Sequence, residues 1–90
     1  MKIFAERLRK LRKEKNMTMK ELAKEIGTSD VSINNWENGI NEPKITYLKR
    51  LASFFNISAD YLIGLEDESG AKNYINNSFN NFNNTGNFKI

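Results

Sequence analysis

Cysteine and histidine are both absent from this sequence of 90 residues. Without cysteine, the chain has neither a disulfide framework nor a thiolate metal site. Without histidine, it lacks the commonest general base and metal ligand. The sequence also contains no phosphate-binding loop and no pair of carboxylates in a recognisable catalytic setting. We therefore expect neither an enzyme nor a protein that requires a metal ion or another cofactor.

Long hydrophobic runs are absent as well. No apolar stretch approaches the roughly 18 residues that a membrane-spanning helix requires, and no apolar signal-peptide core follows Met1. We therefore expect a soluble, cytoplasmic protein that does not bind a membrane. A chain of 90 residues allows one domain. A core of that size is small, so stability is marginal unless a partner adds buried surface.

The most informative stretch is residues 17–39, which predicts two short helices joined by a tight turn. Thr18 can cap the first helix, and Glu21 follows three residues later, as a capping box requires. The apolar residues of this helix recur at helical spacing and form one face, namely Leu22, Ala23 and Ile26. Gly27 ends the helix because glycine adopts the left-handed conformation without steric cost.

The second helix of this stretch has its own cap and an apolar face. Ser29 can cap it, and Asp30 places a negative charge in the first turn, where the helix dipole is positive. Ile33 and Trp36 are three residues apart and are expected to point inward, and Gly39 ends the helix. Two helices with a glycine turn at this spacing form the unit that lays its second helix in the DNA major groove.

The residues of this stretch, together with others, match a known family. In and just after the stretch the matching residues are Leu22, Ala23, Gly27, Ser29, Ile33, Trp36, Glu37, Asn38, Gly39 and Pro43. Outside it they are Leu8, Leu11, Arg12, Leu48, Ala52 and residues 57–62. Over about residues 3–65 the sequence therefore resembles the phage-repressor, or Xre-type (Cro/C1-type), helix-turn-helix regulators. The resemblance implies a lambda-repressor-like, five-helix, all-α fold and a sequence-specific DNA-binding transcriptional regulator.

Helix boundaries follow from periodicity and from breaker residues. We expect helices over residues 3–15, 19–25, 30–38, 45–55 and 59–63. Phe4, Leu8 and Leu11 form the predicted apolar stripe of the first helix. The DNA-binding domain is expected to comprise residues 1–66, and an acidic linker with an Asn/Phe-rich tail is expected over residues 67–90.

The resemblance implies that three residues of the third helix read bases, namely Asp30, Val31 and Asn35. Asn35 can pair bidentately with adenine, Val31 can pack on a thymine methyl group, and Asp30 can accept from cytosine N4. An alternative is that Asp30 only stabilises the first turn of the helix. Because this helix contains no arginine or lysine, it cannot make the strongest guanine contact, and we expect an A·T-rich operator.

Further residues are expected to contact DNA around these three. The flanking side chains are Thr28, Ser29, Ser32 and Asn34, and the candidates for contacts with the DNA backbone are Met19, Lys20, Asn38 and Lys44. Members of the family often carry glutamine at the position of Met19. Methionine cannot donate a hydrogen bond, so N–H groups at the helix start or Lys20 would make that contact instead. Asn38 has an alternative role in capping the end of the third helix.

The first helix carries a basic cluster. Seven basic residues lie between Lys2 and Lys15, against two acidic ones, which is typical of a polyanion binder, although a solvated helix face is the alternative. The resemblance implies that Arg12 forms a salt bridge with Glu37 and so joins the first helix to the end of the third. Breaking one side of such a pair is costly. The alternative is that Arg12 is a free surface charge.

The end of the predicted domain carries more apolar residues than one small bundle needs there. They are Phe54, Tyr61, Ile63 and Leu65. An exposed apolar patch at this end would indicate a subunit interface. The resemblance implies a homodimer in which two recognition helices meet successive major grooves about 34 Å apart. The alternative is that these residues complete the core of the monomer.

The last twenty residues are rich in asparagine with interspersed aromatic residues. This composition is typical of disordered segments that are prone to β-pairing. Three interpretations remain open: a disordered tail, a strand pair that joins the dimer, and a segment that docks a partner protein. Two functions follow. One is a repressor that binds a palindromic operator in double-stranded DNA as a dimer, and the alternative is an antitoxin-like or anti-regulator module whose tail binds a protein.

Overall fold

Five α-helices account for most of the chain that the computed structural model describes, which is residues 2–67. The helices are α1 (Lys2–Glu14), α2 (Met19–Ile26), α3 (Asp30–Glu37), α4 (Ile45–Phe55) and α5 (Ala59–Ile63). The predicted five-helix, all-α fold is therefore confirmed, and each helix end lies within one residue of the predicted one. None of these helices within residues 2–67 is long and apolar enough to cross a bilayer. The predictions for the tail, residues 68–90, lie outside the described residues.

The two central helices begin and end where local hydrogen bonds require it. Thr18 Oγ1 accepts from the Glu21 backbone N–H at 3.0 Å, and Glu21 Oε1 accepts from the Thr18 N–H at 2.8 Å, which completes the predicted capping box. Gly27 has a φ of 83°, and its N–H closes the last turn of α2. Ser29 Oγ accepts from the Ser32 N–H at 3.1 Å and caps α3. The end of α2 and the start of α3 are therefore determined by residues of the turn between the two helices.

The apolar core draws on every helix. Helix α1 packs against α3 and α5, α2 packs against α3 and α4, and α4 packs against α5. The buried side chains of the core are Phe4, Leu8, Leu22, Ala23, Ile26, Ile33, Trp36, Leu51, Phe55 and Leu62. Buried apolar surface contributes about 25 cal/mol per Å². Because each helix supplies part of it, no helix is stable apart from the others.

The buried stripe of α1 differs from the predicted one in its last turn. Phe4 and Leu8 are buried as expected. Leu11, however, is half-buried at the edge of the core, and Arg12 occupies the buried position. Arg12 lies four residues after Leu8 and therefore on the same face of the helix. A charge can occupy that position because Glu37 pairs with it.

Arg50 of α4 binds the end of α2. Its Nη1 donates to the Ile26 carbonyl oxygen at 3.1 Å, and its guanidinium carbon lies 5.5 Å from the centre of the Tyr47 ring. The last carbonyls of a helix have no partner within the helix, so this bond satisfies one of them. A Cβ at Gly27 would lie 3.1 Å from the same guanidinium nitrogen. Both the backbone conformation at Gly27 and the close approach of Arg50 therefore favour glycine.

We expect Gly27→Ala to destabilise the fold more than Gly39→Ala. Both glycines have a positive φ, 83° and 69°, so each alanine carries the left-handed penalty of about 1–2 kcal/mol. Only the change at Gly27 also crowds Arg50, since a Cβ at Gly39 would meet no atom of residues 2–67 within 4 Å other than those of its two chain neighbours. Urea denaturation followed by Trp36 fluorescence measures the free energy of unfolding. Equal losses in the two variants would contradict a role for the Arg50 contact.

Candidate nucleic-acid interface

Helix α3 has one buried face and one polar face that is open to solvent. Ile33, Trp36 and Glu37 are buried, with 0%, 5% and 4% of their surface exposed. On the opposite face, Asp30, Val31 and Asn34 are exposed, and Ser32 and Asn35 are half-buried. The helix therefore presents hydrogen-bonding groups outward while its apolar side chains hold it against the core.

Val31 is an apolar side chain on this polar face. It is 63% exposed. A β-branched side chain has one strongly preferred rotamer in a helix, so its two methyl groups point in a defined direction. Ile40 and Ile45, 65% and 70% exposed, add apolar surface in the loop after α3 and at the start of α4. Val31 is therefore suited to contact an apolar group, such as a methyl group, on a partner.

An open groove lies between the starts of α2 and α3. Its lining residues are Thr18, Lys20, Glu21, Ala23, Lys24, Thr28, Ser29 and Asp30. Lys20 is exposed at this groove. Met19, by contrast, is half-buried and packs against the core. The groove therefore presents the Lys20 ammonium group close to the Glu21 and Asp30 carboxylates.

Arg12 and Glu37 form a buried ion pair between α1 and the end of α3. Arg12 Nε donates to Glu37 Oε2 at 2.6 Å, and Nη2 donates to Oε1 at 2.9 Å, so the two groups meet through parallel bonds. Arg12 Nη1 donates to the Met17 carbonyl at 2.8 Å. The two side chains are 10% and 0% exposed. The hydrogen bond to Glu37 raises the pKa of Arg12. Burial lowers this pKa and the charge of the Glu37 carboxylate raises it further, and the net effect is a raised pKa, so Arg12 stays charged at physiological pH.

Arg9, a member of the basic cluster of the first helix whose contacts were not predicted, lies beside this pair. Its Nε is 3.5 Å from Glu37 Oε1, its Nη2 donates to Asn38 Oδ1 at 3.4 Å, and its side chain is 45% exposed. The Asn38 Nδ2 group donates to the Asn34 carbonyl at 2.8 Å and to Asn34 Oδ1 at 3.0 Å. Arg9 and Arg12 are three residues apart and share a helix face, and that spacing is the signal that could have identified Arg9.

Asn38 and Lys44 flank the loop that follows α3, and both are exposed. Asn38 is the C-cap of α3, and the hydrogen bond from its side-chain amide to the Asn34 carbonyl performs the predicted capping role. Lys44 is the N-cap of α4, but its side chain makes no capping hydrogen bond. Within residues 2–67, no cluster of three or more acidic side chains could hold a metal ion.

The four residues predicted to form a subunit interface are all half-buried, namely Phe54, Tyr61, Ile63 and Leu65. Two of them have partners within the chain. The Arg7 guanidinium lies 4.1 Å from the centre of the Tyr61 ring and donates to the backbone oxygens of Tyr61 and Glu66, the second at 2.7 Å. Phe54 packs edge-to-face on Phe55 with 5.1 Å between ring centres. Arg7 belongs to the predicted basic cluster, but its contacts were not predicted, because Tyr61 and Glu66 lie 54 and 59 residues away in the sequence.

Sequence comparisons match this chain to transcriptional regulators. The family described as Helix-turn-helix matches residues 8–62. The HTH-type transcriptional regulator YobD of Bacillus subtilis is 36% identical over 70 residues, which cover 78% of this chain and 62% of YobD. The HTH-type transcriptional activator BcrR of Enterococcus faecalis is 36% identical over 64 residues, which cover 71% of this chain and 31% of BcrR. The chain thus spans less than two thirds of either regulator.

A solved structure resembles this fold closely. The P22 c2 repressor, solved in complex with a synthetic operator, has a TM-score of 0.65 and 34% sequence identity, covering 69% of this chain and 94% of that one. The similar proteins are regulators, which agrees with the prediction that this chain is not an enzyme.

We expect Arg12→Met and Glu37→Leu each to destabilise the fold by about 3–5 kcal/mol, because each leaves a buried charge without its partner. The double variant removes both charges, so its free energy of unfolding should fall by less than the sum of the decreases in the two single variants. Lys13→Met alters an exposed cation on the same helix and is the matched control, with an expected change of less than about 0.5 kcal/mol. Urea denaturation of all four variants measures the coupling, and additive losses would contradict it.

Proposed function

Because this chain belongs to the Xre-type (Cro/C1-type) helix-turn-helix family of transcriptional regulators, we propose that it is a sequence-specific DNA-binding regulator of the repressor type. The observation that carries this proposal is the polar, exposed face of α3, held by the buried pair of Arg12 and Glu37. A helix with such a face suits the major groove, where each base pair presents its own pattern of donors, acceptors and methyl groups.

We assign the reading of bases to α3. Asn35 pairs bidentately with adenine, and the exposed Val31 packs on a thymine methyl group. Asp30 accepts from cytosine N4 and disfavours a close phosphate. Ser32 and Asn34 lie beside these residues on the same face. Because α3 contains no arginine or lysine, the operator is rich in A·T pairs.

Groups at the helix ends supply affinity by binding the DNA backbone. The candidates are Lys20 and the backbone N–H groups near Met19 in α2, Thr28 and Ser29 before α3, Asn38 after it, and Lys44 before α4. Such contacts set the register of the protein on the duplex without reading its sequence. Each neutralised phosphate releases counterions, so affinity falls as salt rises.

Two copies of the chain are proposed to bind a palindromic operator. Their interface is formed by the half-buried residues at the end of the domain, namely Phe54, Tyr61, Ile63 and Leu65. A two-fold pair of α3 helices then meets successive major grooves about 34 Å apart. The bound dimer blocks RNA polymerase, and it acts in the cytoplasm. Similarity to the P22 c2 repressor supports repression, whereas BcrR is an activator.

Selection of binding sites from random duplex DNA tests this function. We expect one enriched sequence with two A·T-rich half-sites in inverted orientation, about one helical turn apart. Fluorescence anisotropy on that sequence should show log affinity falling linearly with log salt concentration. The proposal is overturned if no sequence is enriched or if affinity barely changes with salt.

Asn35→Ala and Lys44→Ala should weaken binding in different ways. Asn35→Ala removes a bidentate base contact, so it should lose about 1–3 kcal/mol of discrimination at one base pair in each half-site and keep the salt slope. Lys44→Ala removes a phosphate contact, so it should weaken binding to all sequences alike and lower the slope by about one per copy. Anisotropy on the operator and its single-pair variants measures both effects. Identical defects would contradict this division of roles.

We expect Ile63→Glu to weaken dimerisation and Ile45→Glu to leave it unchanged. Both changes replace isoleucine by a carboxylate, but only Ile63 lies in the proposed interface, whereas Ile45 is 70% exposed at the start of α4. An unpaired charge is costly to bury, so the dissociation constant of the Ile63→Glu dimer should rise at least about tenfold. Sedimentation equilibrium measures the constant, and circular dichroism checks that the variant stays folded. A folded variant that dimerises normally would rule out this interface.

A further inference from the structure

A chain of polar side chains links α1 to the exposed face of α3. Arg9 Nη2 lies 3.4 Å from Asn38 Oδ1. Asn38 Nδ2 lies 2.8 Å from the Asn34 carbonyl oxygen and 3.0 Å from Asn34 Oδ1. This series of hydrogen bonds lies beside the buried ion pair and ends at Asn34, on the proposed DNA-binding surface.

The groups at the two ends of this series of hydrogen bonds can each act in one way only. A guanidinium group can only donate, and a backbone carbonyl can only accept. Asn38 lies between the Arg9 guanidinium and the Asn34 carbonyl, so its Oδ1 faces Arg9 and its Nδ2 faces Asn34. Because Asn38 donates at this point, Asn34 must turn its own Oδ1 towards Asn38. The orientations of both amides therefore follow from the chemistry of their neighbours.

With the two amides in these orientations, the amino group of Asn34 is available to a binding partner. Its Oδ1 already accepts from Asn38. Its Nδ2 has no hydrogen-bond partner within residues 2–67, and the side chain is exposed. Asn34 therefore offers two N–H donors at the surface of α3, while its acceptor is turned towards the end of the helix.

Glu37 holds Arg9 in place above Asn38. The Glu37 carboxylate binds Arg12 through both oxygens, and its Oε1 also lies 3.5 Å from Arg9 Nε. One edge of the Arg9 guanidinium is thus held by a buried charge while another edge donates to Asn38. A guanidinium has several donors in a rigid plane, which a lysine ammonium group lacks. A positive charge here is also favourable for the C-terminal end of the α3 dipole.

We propose that Arg9 is a positioning residue that acts through Asn38 to make Asn34 a contact that only donates to DNA. This inference rests on the proposed function and refines it. As a donor, Asn34 binds an acceptor, which is guanine N7 or O6, adenine N7, thymine O4 or a phosphate oxygen. It cannot form the bidentate adenine pair, which needs a donor and an acceptor from one amide. Asn34 and Asn35 therefore read DNA differently although their chemistry is the same.

NMR spectroscopy of residues 1–90 without DNA tests the orientations of the two side-chain amides. We expect the Asn38 side-chain amide protons to exchange with water more slowly than those of Asn34. Arg9→Met removes the donor and should shift the Asn38 amide signals and speed their exchange, and Arg9→Lys should restore them in part. Lys13→Met, which changes an exposed cation of the same helix, should alter neither. The inference is overturned if Asn38 exchanges as fast as Asn34 in the unaltered chain, or if Lys13→Met acts like Arg9→Met.

Asn38→Asp provides the matching test on DNA. A carboxylate only accepts, so Asn34 should turn its amino group inward and present Oδ1 instead. At the base pair that Asn34 contacts, base preference should shift about tenfold, from acceptor edges to the amino groups of adenine or cytosine. Preference at the other base pairs should stay the same, while affinity for every sequence falls because the new carboxylate lies near the DNA backbone. If Asn34 binds a phosphate, no base preference shifts, and a methylphosphonate at that phosphate removes the effect of Asn34→Ala. Either pattern supports the donor role.

Two results on DNA would overturn the inference. In the first, Arg9→Met weakens binding to all sequences equally and lowers the salt slope by about one per copy, as expected of a phosphate contact. In the second, Asn34→Ala binds every duplex as the unaltered chain does. Failure of the proposed function has a separate signature, since the unaltered chain would then enrich no sequence, and the NMR measurement would still report the amide order.

Discussion

The buried pair of Arg12 and Glu37 is the constraint on which the position of α3 depends. Two charges are tolerated in a core only when each satisfies the other with good geometry. Here the guanidinium donates twice to the carboxylate and once to the Met17 carbonyl. The hydrophobic effect has no direction, but these bonds do, so a rotation of α3 relative to α1 would break them. The pair therefore sets the angle at which the polar face of α3 meets solvent.

Other arginines bind the ends of helices in a similar way. Arg50 donates to a carbonyl at the end of α2, Arg7 donates to oxygens at and after the end of α5, and Arg9 donates to Asn38 at the end of α3. Each places a positive charge near the negative end of a helix dipole. Each also joins two helices that are distant in the sequence. In a small domain the apolar core is limited, and these bonds add the orientation that packing alone does not supply.

The outline of the candidate site and its central ion pair, Arg12 with Glu37, could be predicted, but the other contacts within the site could not. Helical periodicity places Ile33 and Trp36 on one side of α3 and the polar residues on the other, so the outward face was predictable. The resemblance implied the pair of Arg12 and Glu37, but the burial of Arg12 in place of Leu11 was not predicted, because periodicity assigns buried positions to apolar side chains. Nor does the sequence show that the Asn34 side chain accepts from Asn38.

The sequence by itself determined the helices, their caps and the turn between α2 and α3. The Thr18 cap and the left-handed Gly27 depend on contacts within a few residues, which a local pattern records completely. Only the tertiary structure decided which oxygens Arg7, Arg9 and Arg50 would bind, since those partners lie between 24 and 59 residues away. Helical spacing specifies the face on which a long side chain begins. The packing of the helices decides where its charged end arrives.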